Sequence, residues 1–253
     1  MMYFQNGLAF DYKYPEEQLS PFIQYFWTLG NQSDTSKKVT ILPDGFFDLM
    51  FVFADGLFKT ILVGLATVQQ EYVVPAGSRA LAISFKLPAA EYLLGIPVRD
   101  LLNSSCSMSD RLWHVDGLMT LSFVDFCAEF VSIFSHTSPA ILDERKRSMF
   151  EILYGTRGHT TVHHIAEITR WSSRQINRYF QTNFGVSLKA YSDILRFRST
   201  FDDLHQGDLF PAEGYSDQPH FIKEVKKFAG TSPKYLAKNL DDRFIQLSTL
   251  GHL

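Results

Sequence analysis

The sequence predicts an α+β protein: an N-terminal antiparallel β-barrel or sandwich, then linker helices, then an all-α C-terminal domain with two helix-turn-helix units. Three observations predict it. Through the first hundred residues, short runs rich in aromatic and β-branched side chains alternate with turn signals, as they do in antiparallel sheets. From Leu118 onward, apolar residues recur at three- and four-residue steps, the period of a helix. The formal charge of −3 on 253 residues is also unevenly spread. Residues 1–144 carry 8 Lys and Arg against 16 Asp and Glu, a net of −8, whereas residues 145–240 carry 15 against 9, a net of +6, and the tail adds −1. A basic segment on an acidic protein points to a polyanion partner for the C-terminal part alone.

Six strands are expected, at 22–29, 38–42, 46–53, 58–63, 71–74 and 80–86, with turns at Gly30-Asn31, Pro43-Asp44-Gly45, Asp55-Gly56 and Pro75-Ala76-Gly77. A short helix follows at 88–94, with Pro88 in its first turn and Gly95 past its end. Then Leu118, Leu121, Val124, Cys127, Val131 and Phe134 mark a helix capped by Asp116. Phe123, Phe126 and Phe130 widen its apolar stripe enough to pack on its own domain or to meet a second copy of the chain. A helix over 140–154 carries Arg145-Lys146-Arg147, and Gly155-Thr156-Arg157-Gly158 reads as a flexible joint. The division is therefore 1–105, a β-rich regulatory domain; 106–155, a helical linker; 156–240, a DNA-binding domain; and 241–253, a tail.

Within 156–240, residues 162–168 form one amphipathic helix, and 172–181 form a second after only Thr169-Arg170-Trp171. Ser172 and Gln175 make a capping box, and Gly185 marks the stop. Ile176, Tyr179 and Phe180 share one face, leaving Ser173, Arg174, Asn177, Arg178 and Gln181 on the other, a face of groups that read base edges and phosphates. A long helix from Ser187 to His205 follows, with the stripe Leu188, Tyr191, Ile194, Leu195, Phe197 and Phe201 and a stop at Gly207. Another capped helix, 217–229, presents Gln218, Lys223, Lys226 and Lys227, and Ser232-Pro233 begins the last.

Ile165-Ala166, Ser172 to Phe180, Phe184-Gly185-Val186-Ser187, Gly214 to Phe221 and Lys226 to Pro233 resemble the DNA-binding domain of AraC/XylS transcriptional regulators, over about residues 145–240. The resemblance implies two recognition helices in successive major-groove segments, joined rigidly by the long helix. It places Arg174, Asn177 and Arg178 of the first unit at base or phosphate contacts, and Gln218, His220 and Lys223 of the second, with Ser173, Gln181 and Lys227 beside them. Arg offers a bidentate fork for guanine and Asn one for adenine, and helix N-termini capped by Ser172 and Ser216 can receive a phosphate. Two departures stand out: Arg170 replaces the family's usual small turn residue, and 207–214, interrupted by Pro211, is short enough to abbreviate the first helix of the second unit. Leu42-Pro43-Asp44-Gly45 and Ala82 to Pro88 resemble the cupin-like half-barrel sensor domains of a bacterial subfamily.

The partners expected of such a regulator are double-stranded DNA, a small-molecule effector in the β domain, RNA polymerase and, through Leu118, Leu121 and Val124, a second copy of the chain. A membrane is not expected, because no apolar run spans one and the N-terminus lacks signal-peptide order. Two cysteines, Cys106 and Cys127, suit a reducing cytoplasmic setting and read as packing residues. No enzyme, cofactor or metal is expected. A metal-binding barrel needs histidines on its strands, yet the first in the chain is His114, and His163-His164 read as surface residues. Neither a Gly-x-Ser-x-Gly elbow nor a phosphate-binding glycine loop is present. Asp44 and Arg79 suit polar anchors in a barrel pocket, although a Pro-Asp-Gly turn also demands Asp44. Effector-binding residues are not assigned.

Overall fold

The computed structural model describes residues 2–5, 7–108, 117–118, 120–136, 143–210, 215–240 and 243–249, with side chains from Gly7 onward. The protein is α+β, with an N-terminal antiparallel β domain followed by helices. The strands are β1 (Met2–Gln5), β2 (Leu8–Lys13), β3 (Ile23–Asn31), β4 (Lys37–Ile41), β5 (Phe47–Ala54), β6 (Leu57–Val63), β7 (Gln70–Val74), β8 (Arg79–Phe85) and β9 (Ser105–Met108). They form a seven-stranded sheet in the order β1-β2-β3-β8-β5-β6-β9 and a two-stranded sheet of β4 and β7. Six of these strands match those expected from sequence. The polar pattern of Ser105 to Met108 hid β9, which crosses the boundary placed at 105/106, whereas β1 and β2 flank Asn6-Gly7, a two-residue hairpin signal that the six expected strands do not use.

The period-two alternation of each strand decides what lies on each side of the large sheet. Phe47, Leu49 and Phe51 of β5 and Leu81, Ile83 and Phe85 of β8 point to one side, where α2 (Phe123–His136) covers them. Phe126 meets Phe26 at 6.3 Å, Phe130 meets Phe51 at 5.3 Å, and Phe134 meets Phe85 at 5.8 Å between ring centres. A bulge in β3 between Ile23 and Tyr25 turns both Ile23 and Phe26 to this side. The wide aromatic stripe is thus covered by the chain's own sheet. The helix begins at Phe123 after Ser122, whose hydroxyl accepts from the Asp125 N–H at 3.1 Å. Leu118 and Leu121 therefore precede it: Leu118 is buried in this core, Leu121 is half-buried, and only Val124 is broadly exposed. The contact expected through those three residues is not a single helix face; the cap assigned to Asp116 lies outside the described residues.

The remaining helices are α1 (Pro88–Tyr92), α3 (Glu144–Gly155), α4 (Val162–Thr169), α5 (Ser173–Phe184), α6 (Leu188–Ser199), α7 (Phe201–His205), α8 (Gln218–Ala229), α9 (Pro233–Lys238) and α10 (Ile245–Thr249). The expected long helix breaks at Thr200, where the Thr200 and Ser199 hydroxyls donate to the Phe197 and Arg196 carbonyls at 2.8 and 2.7 Å and compete with helical pairing. The stretch read as a joint is a tight turn instead. Gly158, at φ +78°, lies so close to α6 that a Cβ there would stand 2.3 Å from the Ser192 carbonyl oxygen.

The helices do not form a body apart from the sheet. One buried cluster runs from Phe47 and Phe85 through Phe150 of α3 into Ile176, Phe180, Tyr191 and Leu195. The tail also returns to the β domain. Thr40 N–H donates to the Arg243 carbonyl at 2.6 Å, and the Gln246 amide pairs with both the N–H and the carbonyl of Leu42, at 3.0 and 2.9 Å.

Candidate nucleic-acid interface and interior cavity

Thr161 caps α4 by accepting from the His164 N–H at 3.1 Å, and α4 ends at Arg170, which is left-handed at φ +55°. The turn position where the resemblance implies a small residue thus needs a positive φ, and Arg170 adopts it. Trp171 packs under the Arg145 guanidinium, 5.1 Å from its ring centre, and against Tyr179 at 5.7 Å. Ser172 and Gln175 form the reciprocal capping box of α5, and Gly185 ends it at φ +74°. Ile176, Phe180 and Phe184 are fully buried, so the opposite face of α5 is fixed by their packing.

On that face Ser173, Arg174, Arg178 and Gln181 are exposed. Neither arginine makes an ion pair with a described residue. Asn177 is half-buried and committed elsewhere: its amide nitrogen donates to the Ser173 carbonyl at 3.0 Å, and its oxygen accepts from the Leu188 N–H at 3.3 Å. It therefore ties α5 to the start of α6. His163 and His164 are both exposed, with His163 3.2 Å from Glu167.

In α8, Phe221, Val225 and Phe228 are buried, while Gln218, Lys223 and Lys226 are exposed. The cap is Asp217, not Ser216: the Asp217 carboxylate accepts from the His220 N–H at 2.8 Å. A carboxylate at that end already occupies the positive pole of the helix and disfavours a phosphate. Ser216 instead lies 3.4 Å from Nδ1 of half-buried His220. Lys227 is 3.3 Å from Glu224 and 4.0 Å from Asp193, so its charge is partly spent within the chain. Pro211, which the sequence places in the shortened connection, lies outside the described residues.

The C-terminal ends of both helices rest on the β domain. Arg99 donates to the Thr182 carbonyl at 3.4 Å, Tyr179 donates to Glu91 at 2.9 Å, and the Gln69 N–H donates to the Phe228 carbonyl at 3.0 Å.

Between the two sheets is a cavity of about 290 Å³, walled by Phe10, Tyr25, Trp27, Met50 and Tyr72 and reached at one end by Ile245, Gln246 and Thr249 of α10. Its polar lining includes Asp44, Asp48 and Ser84, with Gln70, Arg79, Asn103 and Gln246 elsewhere on the wall. Asp48 accepts from the Trp27 indole N–H at 3.3 Å and from the Ser84 hydroxyl in a short bond. Burial, reinforced by the nearby Asp44 charge, pushes the Asp48 carboxyl up from its ordinary 3.8 to about 7. Burial raises Asp44 too, opposed by Arg198. Asp44 also closes its own turn by accepting from the Phe46 N–H at 3.0 Å, so the turn role and the cavity role coincide in one residue. Arg79 does not share the cavity's acidic end. It lies in register with Leu81 and Ile83 on the α2 side and donates to the Leu121 carbonyl at 2.9 Å. Alternation alone did not reveal Asp48, because an aspartate in a strand reads as solvent-facing until a second sheet is known to cover that side.

Cys127 is buried, with its thiol pushed up to about 12 by burial, and Cys106 is half-buried. Among the described residues no three His, Cys, Asp or Glu side chains are placed to hold a metal, and no helix is long and apolar enough to cross a membrane.

The architecture is a β domain carrying a mostly apolar cavity, joined to helices that expose cationic faces. Residues 13–107 match a family model described as "Domain of unknown function (DUF6597)". No curated protein matches the chain. Among solved structures, the chain is similar to an apo variant of ToxT from Vibrio cholerae, at 12% identity and a TM-score of 0.39, over 92% of this chain and 97% of that one. It is also similar to wild-type ToxT from Vibrio cholerae bound to an unsaturated fatty acid, at 13% identity and a TM-score of 0.38, over 93% and 97%. These structures superpose loosely on this chain, and no site is transferred from them.

Proposed function

We propose that the protein is a sequence-specific DNA-binding transcription regulator of AraC/XylS type, whose DNA binding is controlled through its N-terminal domain. The observation that carries this reading is the α5 surface. Arg174 and Arg178 stand exposed and without described ion-pair partners on a helix whose other face is fully buried and whose N-cap, Ser172, is neutral. Holding unpaired guanidinium groups on a rigid, uncharged-capped helix suits recognition of phosphate and guanine. Lys223 and Lys226 on α8 extend the cationic surface to a second helix, joined to the first through α6 and α7. In this reading α4 and α5 form the first helix-turn-helix, Asn177 acts mainly as a brace, and base contacts from α8 are fewer than from α5.

Control through the β domain is supported by the way Gly45, Gln69, Glu91 and Arg99 hold the helices. Those same contacts favour a second reading, a self-inhibited regulator whose two DNA-reading helices are fixed by the β domain in a spacing of low DNA affinity.

Fluorescence anisotropy of the full chain against pooled DNA fragments from upstream of its own gene, titrated with salt, tests both. The expected result is fragment-selective binding with a steep salt slope, weakened in Arg174→Ala/Arg178→Ala by about 1–3 kcal/mol for each bidentate arginine–base pairing removed. Binding without fragment preference that the double variant leaves unchanged overturns the first reading. Binding gained when Tyr179→Phe and Arg99→Ala remove the side-chain contacts that hold α5 supports the second.

A further inference from the structure

We infer that the cavity between the sheets takes an apolar, preferably aromatic ligand bearing one protonated amine, with Asp48 as the group that meets the cation. The inference rests on the regulator reading only in treating this ligand as an effector; the binding itself is argued from the cavity.

Its volume of about 290 Å³ is near the lower end for small-molecule sites, and its walls are mostly apolar, with Phe10, Tyr25, Trp27 and Tyr72 among them. Aromatic faces are favourable neighbours for an ammonium group, and worth more where water is excluded. The polar end carries two carboxylates of unequal circumstance. Asp44 is matched by Arg198, whose guanidinium stands 4.8 Å over the Phe46 ring, and is further stabilised by Gln246. Asp48 has only the neutral donors of Trp27 and Ser84 and feels the repulsion of Asp44.

An uncompensated carboxylate buried among mostly apolar walls is costly unless protonated or paired. A ligand cation would supply the missing charge. An anionic ligand would meet two carboxylates at this end; Arg79 also borders the cavity, but its guanidinium is engaged by the Leu121 carbonyl on the α2 side. A metal ion would find two carboxylates but no third His, Cys, Asp or Glu among the described residues.

The test uses the full chain and three probes of one shape: 4-phenylbutylamine, 4-phenylbutanol and 4-phenylbutyrate, measured by calorimetry at pH 7.5. The expected order is amine, then alcohol, then acid, with the amine at least about tenfold tighter than the alcohol. Asp48→Asn is expected to remove that preference while leaving alcohol binding intact, which also reports that the variant is folded. Binding of the acid as tight as the amine, no saturable amine binding, or an amine preference unchanged in Asp48→Asn overturns the inference. Should Asp48→Asn not fold, the ranking on the wild-type chain decides alone. DNA binding is assayed separately: amine binding without selective DNA binding sinks the regulator reading only, and selective DNA binding without amine binding sinks this inference only.

Discussion

The hydroxyl of Tyr191, in the first turn of the helix that follows α5, donates to the carbonyl oxygen of Gly45 at 2.9 Å. Because that carbonyl can only accept, the Tyr191 proton lies there, and Tyr154 is the donor across the 3.0 Å Tyr154–Tyr191 contact. The Leu87 N–H donates to Tyr154 in turn, at 3.0 Å. A relay of three hydrogen bonds thus begins and ends in the β domain and passes through α3 and α6. It ends one residue from Asp44, at the wall of the cavity.

Tyr191→Phe removes the central link and strands the Gly45 carbonyl. The expected cost is about 1–3 kcal/mol, seen as a fall of roughly 2–4 °C in Tm per kcal/mol in thermal unfolding. In the proposed regulator, the same variant weakens the dependence of DNA binding on cavity ligands. A Tm within experimental error of wild type would show that the relay contributes nothing net.

Asp48 sets a pH dependence whose sign follows from its raised carboxyl. A native pKa of about 7 against an ordinary 3.8 means the folded state binds more protons than the unfolded chain between those values. The charged form therefore costs stability that is absent below 3.8, grows through the interval and is complete above 7. Asp48→Asn is expected to stabilise the ligand-free protein increasingly from pH 4 to 7 and by a constant amount beyond, with a ceiling on the order of 4 kcal/mol. Of the other groups facing the site, Tyr25 and Tyr72 are raised by burial and partly by the Asp48 charge and stay neutral throughout this range, while Asp44, raised by burial and opposed by Arg198, is relieved of the Asp48 repulsion in the variant. Urea unfolding of both proteins across this range checks it, and a difference that shrinks with rising pH would contradict the assignment.

Gly158→Ala places a Cβ 2.3 Å from the Ser192 carbonyl oxygen at a φ of +78°. Left-handed backbone costs an alanine about 1–2 kcal/mol, and the clash adds a similar amount. A drop of roughly 2–4 kcal/mol in urea unfolding is expected, whereas Gly56→Ala, with nothing within 4 Å of its Cβ, pays only the backbone cost.

Gln246→Ala leaves both backbone groups of fully buried Leu42 without their partner. The expected loss is about 2–6 kcal/mol, from two stranded groups at 1–3 each. Hydrogen exchange is expected to speed at the Leu42 amide before it does so in the centre of β5. Unchanged protection at Leu42 would show that α10 is not its cover.

Sequence alone determined what is local. Turn residues and alternation placed six strands, and Ser172 with Gln175, Gly185 and Gly230 set the ends of α5 and α8, because caps and left-handed stops depend on residues a few positions apart. It also separated the buried face of α5 from Arg174 and Arg178, since helical period is a local property. Only tertiary structure decided that α2 spends its aromatic stripe on the sheet, that the tail over 243–249 is a strap holding Leu42, and that Asn177 and Lys227 are already engaged. It likewise decided that Asp48 faces a cavity between the two sheets. Each of these depends on which surface distant segments cover, and a strand's alternation names two faces without saying which of them water will reach.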